Sequence, residues 1–210
     1  DEHNRFPALC SMQSVFGWLH EPSCDRWANS LLQFIGINSV PSLEYKIQPT
    51  FDIDSTFAYK GKGTFRTTAG ILKDLSKGRI NRVQDRIKVL IQKRKDPFDT
   101  FDKITQIAEQ YPETRCFWLL ADFGTYNKNL SHTNPQQGEI ISKLSSACEI
   151  GIHPGYETYM NATNLRHEIH RLTSLTKKEI KISRQHFLRL SIPETYNHLI
   201  EQNIQIDYSM

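Results

Sequence analysis

Short apolar runs alternate with helix-length amphipathic segments from residue 45 to the end of the chain. The runs are rich in aliphatic and aromatic residues and are bounded by polar loops, which is typical of strands buried on both faces. Strands that alternate with helices form parallel sheets with helical crossovers. The pattern therefore predicts an α/β fold, either an open sheet or a (β/α) barrel. Strands are predicted at 45–54, 115–122, 148–153, 180–186 and 204–208, and helices at 25–34, 80–93, from 97, and at 139–144, 164–175 and 193–202.

The length of the chain limits its domain organisation. A chain of 210 residues can form one large domain with a sizeable core, or at most two small ones. We expect residues 1–44 to form a helical segment that packs on a barrel formed by residues 45–210.

Composition excludes several classes of protein. The net charge of +3 is too slight to indicate nucleic acid as a partner. No apolar run approaches the roughly 20 residues of a membrane helix, and the first residues lack the basic and then apolar order of a signal peptide. The four cysteines form no CxxC pair, which argues against zinc-finger and redox motifs. A cytoplasmic or peripheral membrane location is favoured, and a preceding signal segment stays open because the sequence begins without Met.

Polar side chains stand at the end of every predicted strand. They are Asp52, Asp54, Asp122, His153, Arg184, His186 and Asp207. Because the carboxyl ends of the strands in a barrel meet on one face, these side chains are expected to converge there. Aspartate and histidine together are the ligand set of a hydrolytic divalent-metal site, zinc above all.

The segment PTFDID, residues 49–54, raises a specific electrostatic question. Alternate residues of a strand share a face, so Asp52 and Asp54 would bring two negative charges together. A cation between them would relieve the repulsion, with one aspartate binding the metal and the other acting as base. The alternative is that the strand has already ended and that both side chains are solvated or cap the next turn.

Four motifs in order carry a resemblance to a known family. TFDID, CFWLLADF, EIGIHPG and ISRQHF resemble the polysaccharide deacetylases of carbohydrate esterase family 4, from about residue 48 to the C-terminus. The sequence is most similar to divergent bacterial members with DEH-N/G-RF near the start and SRQHF late. The resemblance implies a distorted (β/α) barrel with fewer than eight strands. It also implies metal-dependent removal of acetyl groups from an N- or O-acetylated carbohydrate of the bacterial surface.

The resemblance assigns roles to individual residues. It implies that Asp52 is the general base, that Asp54 and His153 bind the metal, and that Arg184 braces the base. The family usually has a second histidine four residues after the first, where this sequence has Glu157. We expect His186 to supply the missing imidazole; the alternative is that His186 hydrogen-bonds a ligand or the substrate. The expected metal is zinc, with cobalt, nickel or iron as alternatives.

Other features of the site remain open at the level of sequence. The family's late histidine, a general acid, would belong to a strand after Met210, so either the chain is trimmed there or that role is filled by another group. Asp122 is predicted either to contact the substrate or to cap its own loop, and Tyr156 to stack on a sugar ring. Three basic residues in the glycine-containing segment 59–66 could bind a phosphate, although a solvated loop has the same composition.

Two further functions and one further partner are compatible with the sequence. The chain could be a non-catalytic carbohydrate-binding or polysaccharide-assembly protein with a degenerate metal site, which the absence of a histidine at 157 favours. It could also be another metal hydrolase, acting on a phosphoester or a small amide. The basic amphipathic helix predicted at 80–93 could lie on an anionic membrane or could dock on the barrel.

Overall fold

The computed structural model describes residues 1–3, 5–37 and 45–209. The chain divides into two compact units, Asp1–Ile47 and Gln48–Met210. The boundary expected from the sequence, between residues 44 and 45, borders on residues 38–44, which lie outside the described residues. The expected packing of the N-terminal segment on the larger unit stays a prediction.

The first unit is helical in its described part. It contains the short helix α1, Met12–Val15, and the longer helix α2, Ser23–Phe34, which confirms the helix predicted at 25–34. The edge of Trp18 meets Trp27 of α2 with ring centroids 6.0 Å apart. Among the described residues of the whole chain, the helices are too short or too polar to cross a bilayer.

A five-stranded parallel sheet forms the centre of the second unit. The strands lie in chain order, β1-β2-β3-β4-β5, as the alternation of strands and helices predicts. The strands are shorter than the apolar runs, and Asp54, Asp122, His153 and His186 lie in the loops beyond them, whereas Asp52 and Asp207 lie within β1 and β5. Their bounds are β1 Thr50–Ile53, β2 Arg115–Trp118, β3 Glu149–Ile152, β4 Ile182–Ser183 and β5 Ile206–Asp207.

Six helices of this unit are described. Five of them correspond to predicted helices, although α5 begins at Phe101 instead of near residue 97. The helix α3 was missed, because Gly63 and Gly70 have low helix propensity and the segment before it reads as a loop. The helices are α3 Gly63–Ser76, α4 Ile80–Leu90, α5 Phe101–Gln110, α6 Pro135–Leu144, α7 Ala162–Thr176 and α8 Glu194–Glu201.

The hydrophobic core lies between the sheet and the helices that connect its strands. Trp118 of β2 is fully buried and stacks on Phe101 of α5, with ring centroids 5.7 Å apart. Burying side chains of this size stabilises the fold by about 1.5–3 kcal/mol each. The core also contains Ile104, Cys116, Leu120, Ile141, Leu144, Ile150, Ile152, Leu165, Leu172 and Leu199.

The sheet is strongly curved. The guanidinium of Arg184, just beyond β4, donates a 3.0 Å hydrogen bond to the hydroxyl of Thr50 in β1. The ring of Phe117 in β2 lies 5.2 Å from that of Tyr208, just beyond β5. Strands three places apart in a flat sheet are about 14 Å from each other. The side chains can therefore meet only because the sheet curls around them, and this curvature brings the strand ends together.

A glycine in β3 permits the close packing inside the curve. A Cβ atom at Gly151 would lie 2.7 Å from Phe117 Cδ1 and 2.7 Å from Ile182 Cγ1. Any larger residue would push β3 away from its neighbours. The EIGIH motif therefore has glycine at position 151 because the side chains of the neighbouring strands pack over it inside the curved sheet.

Candidate metal centre

Three of the predicted site residues converge at the carboxyl ends of the strands. Asp54 follows β1, His153 follows β3, and His186 opens a turn of 3-10 helix after β4. Within the described part of the chain, no other group of three acids, histidines or cysteines brings its donor atoms within 4.8 Å of one another. The structure therefore contains one candidate metal-binding triad in its described residues, and it is the predicted one.

The donor atoms of the triad have the separations expected of metal ligands. Asp54 Oδ1 lies 3.3 Å from His153 Nε2 and 3.5 Å from His186 Nδ1. The two ring nitrogens are 3.1 Å apart. Tetrahedral zinc with ligands at 2.0–2.2 Å places its donor atoms about 3.3–3.6 Å from one another. The three side chains need little movement to bind such an ion.

The outer nitrogens of both imidazoles are held by backbone carbonyls. His153 Nδ1 donates to the carbonyl of Arg184 at 2.5 Å, and His186 Nε2 donates to the carbonyl of Tyr126 at 3.3 Å. With those protons in place, a neutral ring turns a lone pair inward, which is the usual way a histidine is oriented for a metal. Two facing lone pairs repel, so the cluster requires either an added proton or a cation. The donor set therefore fits a divalent metal.

The electrostatics of the triad favour ligation. The hydrogen bond with His153 holds the pKa of Asp54 below its ordinary value, helped by the charge of His186 and opposed by partial burial. Burial lowers the pKa of His186, and repulsion by His153 lowers it further. An ionised carboxylate and a neutral imidazole are the forms that bind metal, and an ion would replace the proton shared by His153 and Asp54.

Arg184 holds the second aspartate of the motif. Its Nη1 donates to Asp52 Oδ1 at 2.9 Å, and its Nε donates to the carbonyl of Tyr208 at 3.1 Å. The guanidinium also lies over the ring of Phe117, 4.7 Å from its centroid. Asp52 is thus fixed in orientation by an arginine that is itself held from three sides. The contact between Arg184 and Asp52 is therefore present, and the role of Asp52 as a base stays a prediction.

Asp52 and Asp54 open into one cleft. A cavity of about 300 Å³ is lined by both aspartates, by residues 53 and 55, and by Pro97, Phe98, Thr100 and Phe101. Phe98 is 51% exposed, so its ring presents an apolar surface in the same cleft as the two carboxylates. The sequence DPFD, residues 96–99, was interpreted only as the start of a helix. The available signal for a binding surface was Phe98, an aromatic residue between two acids.

Asp122 lies with a different group of side chains. Its side chain is 87% exposed and forms a 2.8 Å ion pair with Arg171 of α7. Together with Asn127, Glu157 and Glu168, these two residues line a cavity of about 170 Å³. Within the described residues, the carboxylate of Asp122 accepts no hydrogen bond from a backbone amide of its own loop. Its partner is the side chain of Arg171 in α7. The predicted substrate contact of Asp122 stays a prediction.

Tyr156 is buried close to the candidate triad. Its ring stacks on Tyr126 with centroids 4.0 Å apart, and Arg189 Cζ lies 4.1 Å from its centroid. Phe187 packs edge-on against both Tyr156 and His186. Tyr156 therefore supports the loop whose carbonyl holds His186. Its predicted stacking on a sugar is not tested by these contacts.

Two buried acids that the sequence interpretation missed support the loops of the site. Asp96, 2% exposed, accepts backbone hydrogen bonds of 2.7–3.2 Å from Ala58, Tyr59 and Lys60, and a fourth from Phe98. This carboxylate ties the loop after Asp54 to the segment that carries Phe98. An aspartate directly before Pro97 was the signal in the sequence.

Glu168 is the second buried acid. It is 4% exposed and accepts the N–H of Gly155 at 2.8 Å, which holds the turn that follows His153. Burial raises its pKa to about 8. The signal in the sequence was an acid on the same helical face as Leu165 and Leu172, which a solvated residue would not occupy.

Comparison of the chain with models of known families, with curated proteins and with solved structures found no match. What the site can do therefore rests on its own geometry. It offers two oriented imidazoles beside the carboxylate of Asp54, and a second carboxylate, Asp52, that is held by an arginine; the two aspartates line one open cavity.

Proposed function

We propose that this protein is a metal-dependent hydrolase of the polysaccharide deacetylase type. It would remove acetyl groups from an N- or O-acetylated carbohydrate of the bacterial surface. The observation that carries the proposal is the meeting of Asp54, His153 and His186 at ligand distances beside the Asp52–Arg184 pair. Two carboxylates with these two environments divide metal binding from proton transfer, as the resemblance to that family implies.

The curvature of the sheet supports the fold that the proposal requires. Five parallel strands in chain order, with contacts across the concave face, agree with the distorted (β/α) barrel of the family. In such a barrel the active site lies at the carboxyl ends of the strands, where the triad is found.

Asp54, His153 and His186 would hold the metal and leave coordination positions open for water and substrate. Zinc fits two imidazoles and one carboxylate best, and cobalt, nickel and iron are alternatives. A divalent ion bound there would polarise the acetyl carbonyl and lower the pKa of a water molecule. The carbonyls of Arg184 and Tyr126 would keep both imidazoles in the ligating tautomer.

The remaining residues have distinct tasks. Asp52 would accept a proton from the attacking water, and Arg184 would keep the carboxylate oriented during the transfer. Oδ2 of Asp52 has no hydrogen bond within the described residues, so one oxygen is available for that proton. Phe98 would pack against a sugar ring in the cleft. Asp122 and Tyr156 remain proposed contacts of the substrate.

Metal content tests the proposal first. We would purify the wild type and the variants Asp54→Ala, His153→Ala and His186→Ala, load each with zinc, and determine bound metal by elemental analysis. His167→Ala is the matched control, since His167 is an exposed histidine of α7. We expect about one zinc per chain in the wild type and the control, and a large loss in the other three.

Acetate release completes the test. Loaded wild type should release acetate from chito-oligosaccharides or from an O-acetylated glycan, and Asp52→Asn should keep the metal but lose the activity. If no metal binds even in excess, the hydrolase proposal fails and a carbohydrate-binding protein becomes the better interpretation. Metal loss in Asp54→Ala and His153→Ala but not in His186→Ala would remove His186 from the ligand set.

A further inference from the structure

Positive charge is concentrated in one stretch of the second unit. Residues 60–95 contain twelve lysines and arginines and two aspartates, a net charge of +10, whereas the other residues together carry −7. Both aspartates already have partners: Asp74 pairs with Arg86 at 2.9 Å, and Asp85 pairs with Arg94. The stretch contains α3 and α4, so this pair of helices is strongly cationic in a chain that is nearly neutral overall.

The same two helices expose apolar residues and bury charged ones. In α3 the buried residue is Asp74, and in α4 Arg86 is buried beside two valines. The large apolar residues outside are each 41–84% exposed. These residues form what we call the α3–α4 surface: Phe65, Leu72, Leu75, Ile80, Ile87, Leu90 and Ile91.

Helical spacing places these residues in two stripes. Phe65, Leu72 and Leu75 are seven and three residues apart in α3, and Ile80, Ile87 and Leu90 repeat the same spacing in α4. An ordinary helix on a protein surface turns such a stripe towards the core. Here the inward faces carry the Asp74–Arg86 salt bridge, with Val83 and Val89 beside it in α4, and the residues of the two stripes are exposed among basic residues.

The packing between the helices fixes this arrangement. A Cβ atom at Gly70 would lie 2.7 Å from Arg86 Nη1, so a larger residue there would displace the guanidinium from α3. Arg86 also lies over the ring of Tyr59, 4.8 Å from its centroid. The buried arginine therefore holds α4 to α3 and to the loop before α3, and the apolar stripes stay on the outside.

We propose that the α3–α4 surface docks on an anionic lipid bilayer. Exposed apolar side chains flanked by lysine and arginine are the pattern of helices that lie in the membrane interface. Nucleic acid would match the charge but would leave the apolar stripes in water. A second copy would cover the stripes but would bring two charges of +10 together. A lipid surface matches both properties, and the proposal is independent of the hydrolase activity.

Vesicle co-sedimentation of the whole chain tests this surface. The probes are vesicles of phosphatidylcholine alone and of phosphatidylcholine with phosphatidylglycerol, each at low and high salt. We expect binding only to the anionic vesicles, weakened by salt. The double variant Phe65→Gln/Ile87→Gln and the double variant Lys73→Gln/Arg82→Gln should each lower the partition coefficient roughly tenfold.

Matched controls separate the surface from general effects. Met160→Gln/Ile200→Gln removes two exposed apolar residues elsewhere, and Lys103→Gln/Arg166→Gln removes two exposed charges elsewhere. Both controls should bind as the wild type does. Equal losses in variants and controls, or no binding to anionic vesicles, would overturn the proposal.

Two other outcomes would assign the surface to another occupant and equally overturn the proposal. One is a wild-type dimer in light scattering that Phe65→Gln/Ile87→Gln dissociates. The other is tight binding of a DNA duplex that depends on Lys73 and Arg82 but not on the apolar residues.

Discussion

Arg184 concentrates several contacts of the site in one side chain. It binds Asp52, Thr50 and the carbonyl of Tyr208 through separate nitrogen protons, and its own carbonyl accepts from His153. Lysine has the charge but lacks the planar fork that reaches several acceptors at once. The backbone carbonyl, in contrast, is unaffected by a change of side chain.

Arg184→Lys should therefore separate proton transfer from metal binding. We expect zinc content to stay near the wild-type value, because His153 keeps its carbonyl partner. We expect kcat for acetate release to fall about 100-fold with a small change in KM, since Asp52 loses its orientation. Steady-state kinetics and elemental analysis of the same preparations measure both. A variant that loses the metal instead would show that Arg184 acts on the ligands.

Glu168 gives a second prediction at this scale, in the dependence of stability on pH. Its pKa is raised to about 8 by burial, above the ordinary 4.5 of the unfolded chain. The folded state then binds more protons than the unfolded state, so stability falls as pH rises from about 4.5 through 8. Glu168→Gln should remove this loss and be more stable than the wild type at pH 8, by on the order of 2–4 kcal/mol.

Urea unfolding at several pH values measures this difference. Glu109→Gln, which changes an exposed glutamate of α5, is the control and should follow the wild type. Parallel stability curves for Glu168→Gln and the wild type between pH 5 and 8 would show that the carboxyl group does not take up a proton on folding.

At the scale of elements, the segment between β1 and α5 is organised by Asp96. One carboxylate accepts four backbone N–H groups from two loops, and hydrogen bonds to a charged acceptor contribute about 1.5–3 kcal/mol each before non-additivity. Asp96→Ala should lower the free energy of unfolding by about 2–4 kcal/mol and weaken zinc binding, because the loop after Asp54 loses its anchor.

The matched comparison is Asp99→Ala, a nearby aspartate whose partner is Lys95 at 3.8 Å. It should change stability by less than about 1 kcal/mol and leave zinc affinity unchanged. Asp96→Asn keeps an acceptor oxygen and should restore part of the loss. Chemical unfolding and a competition titration with a zinc chelator give the two readouts. If Asp96→Ala unfolds the protein at room temperature, Asp96→Asn carries the test.

How far the sequence predicts these elements depends on the range of the interaction. Local periodicity predicted all five strands and most helices, and the parallel topology then required Asp54, His153 and His186 to share one end of the sheet. The helix α3 was missed because its glycines lower the local helix propensity, and its salt bridge with Arg86, which lies 23 positions beyond Gly63, is a contact that local periodicity does not reveal. The supporting acids Asp96 and Glu168 were missed because burial of a charge is decided by tertiary packing.

At the scale of the whole molecule, every residue of the proposed site belongs to the second compact unit, Gln48–Met210. A fragment of residues 48–210 should therefore fold cooperatively and bind zinc with an affinity within about threefold of the full chain, since its ligands and their hydrogen-bond partners all lie inside it. Circular dichroism melting and zinc titration of both chains measure this. An unfolded fragment, or a folded one without zinc affinity, would show that residues 1–47 are required for the site.

The curled sheet also has a consequence for how the chain reaches its native state. Asp52 and Arg184 are 132 positions apart, and they meet only after the first and fourth strands have both joined the sheet. Contacts of such high sequence separation have a large loop-closure cost and form late in folding. A growing chain on the ribosome would thus lack the complete triad until His186, which follows β4, had emerged. A metal ion bound by all three side chains would then stabilise only molecules in which β1, β3 and β4 had already joined the sheet.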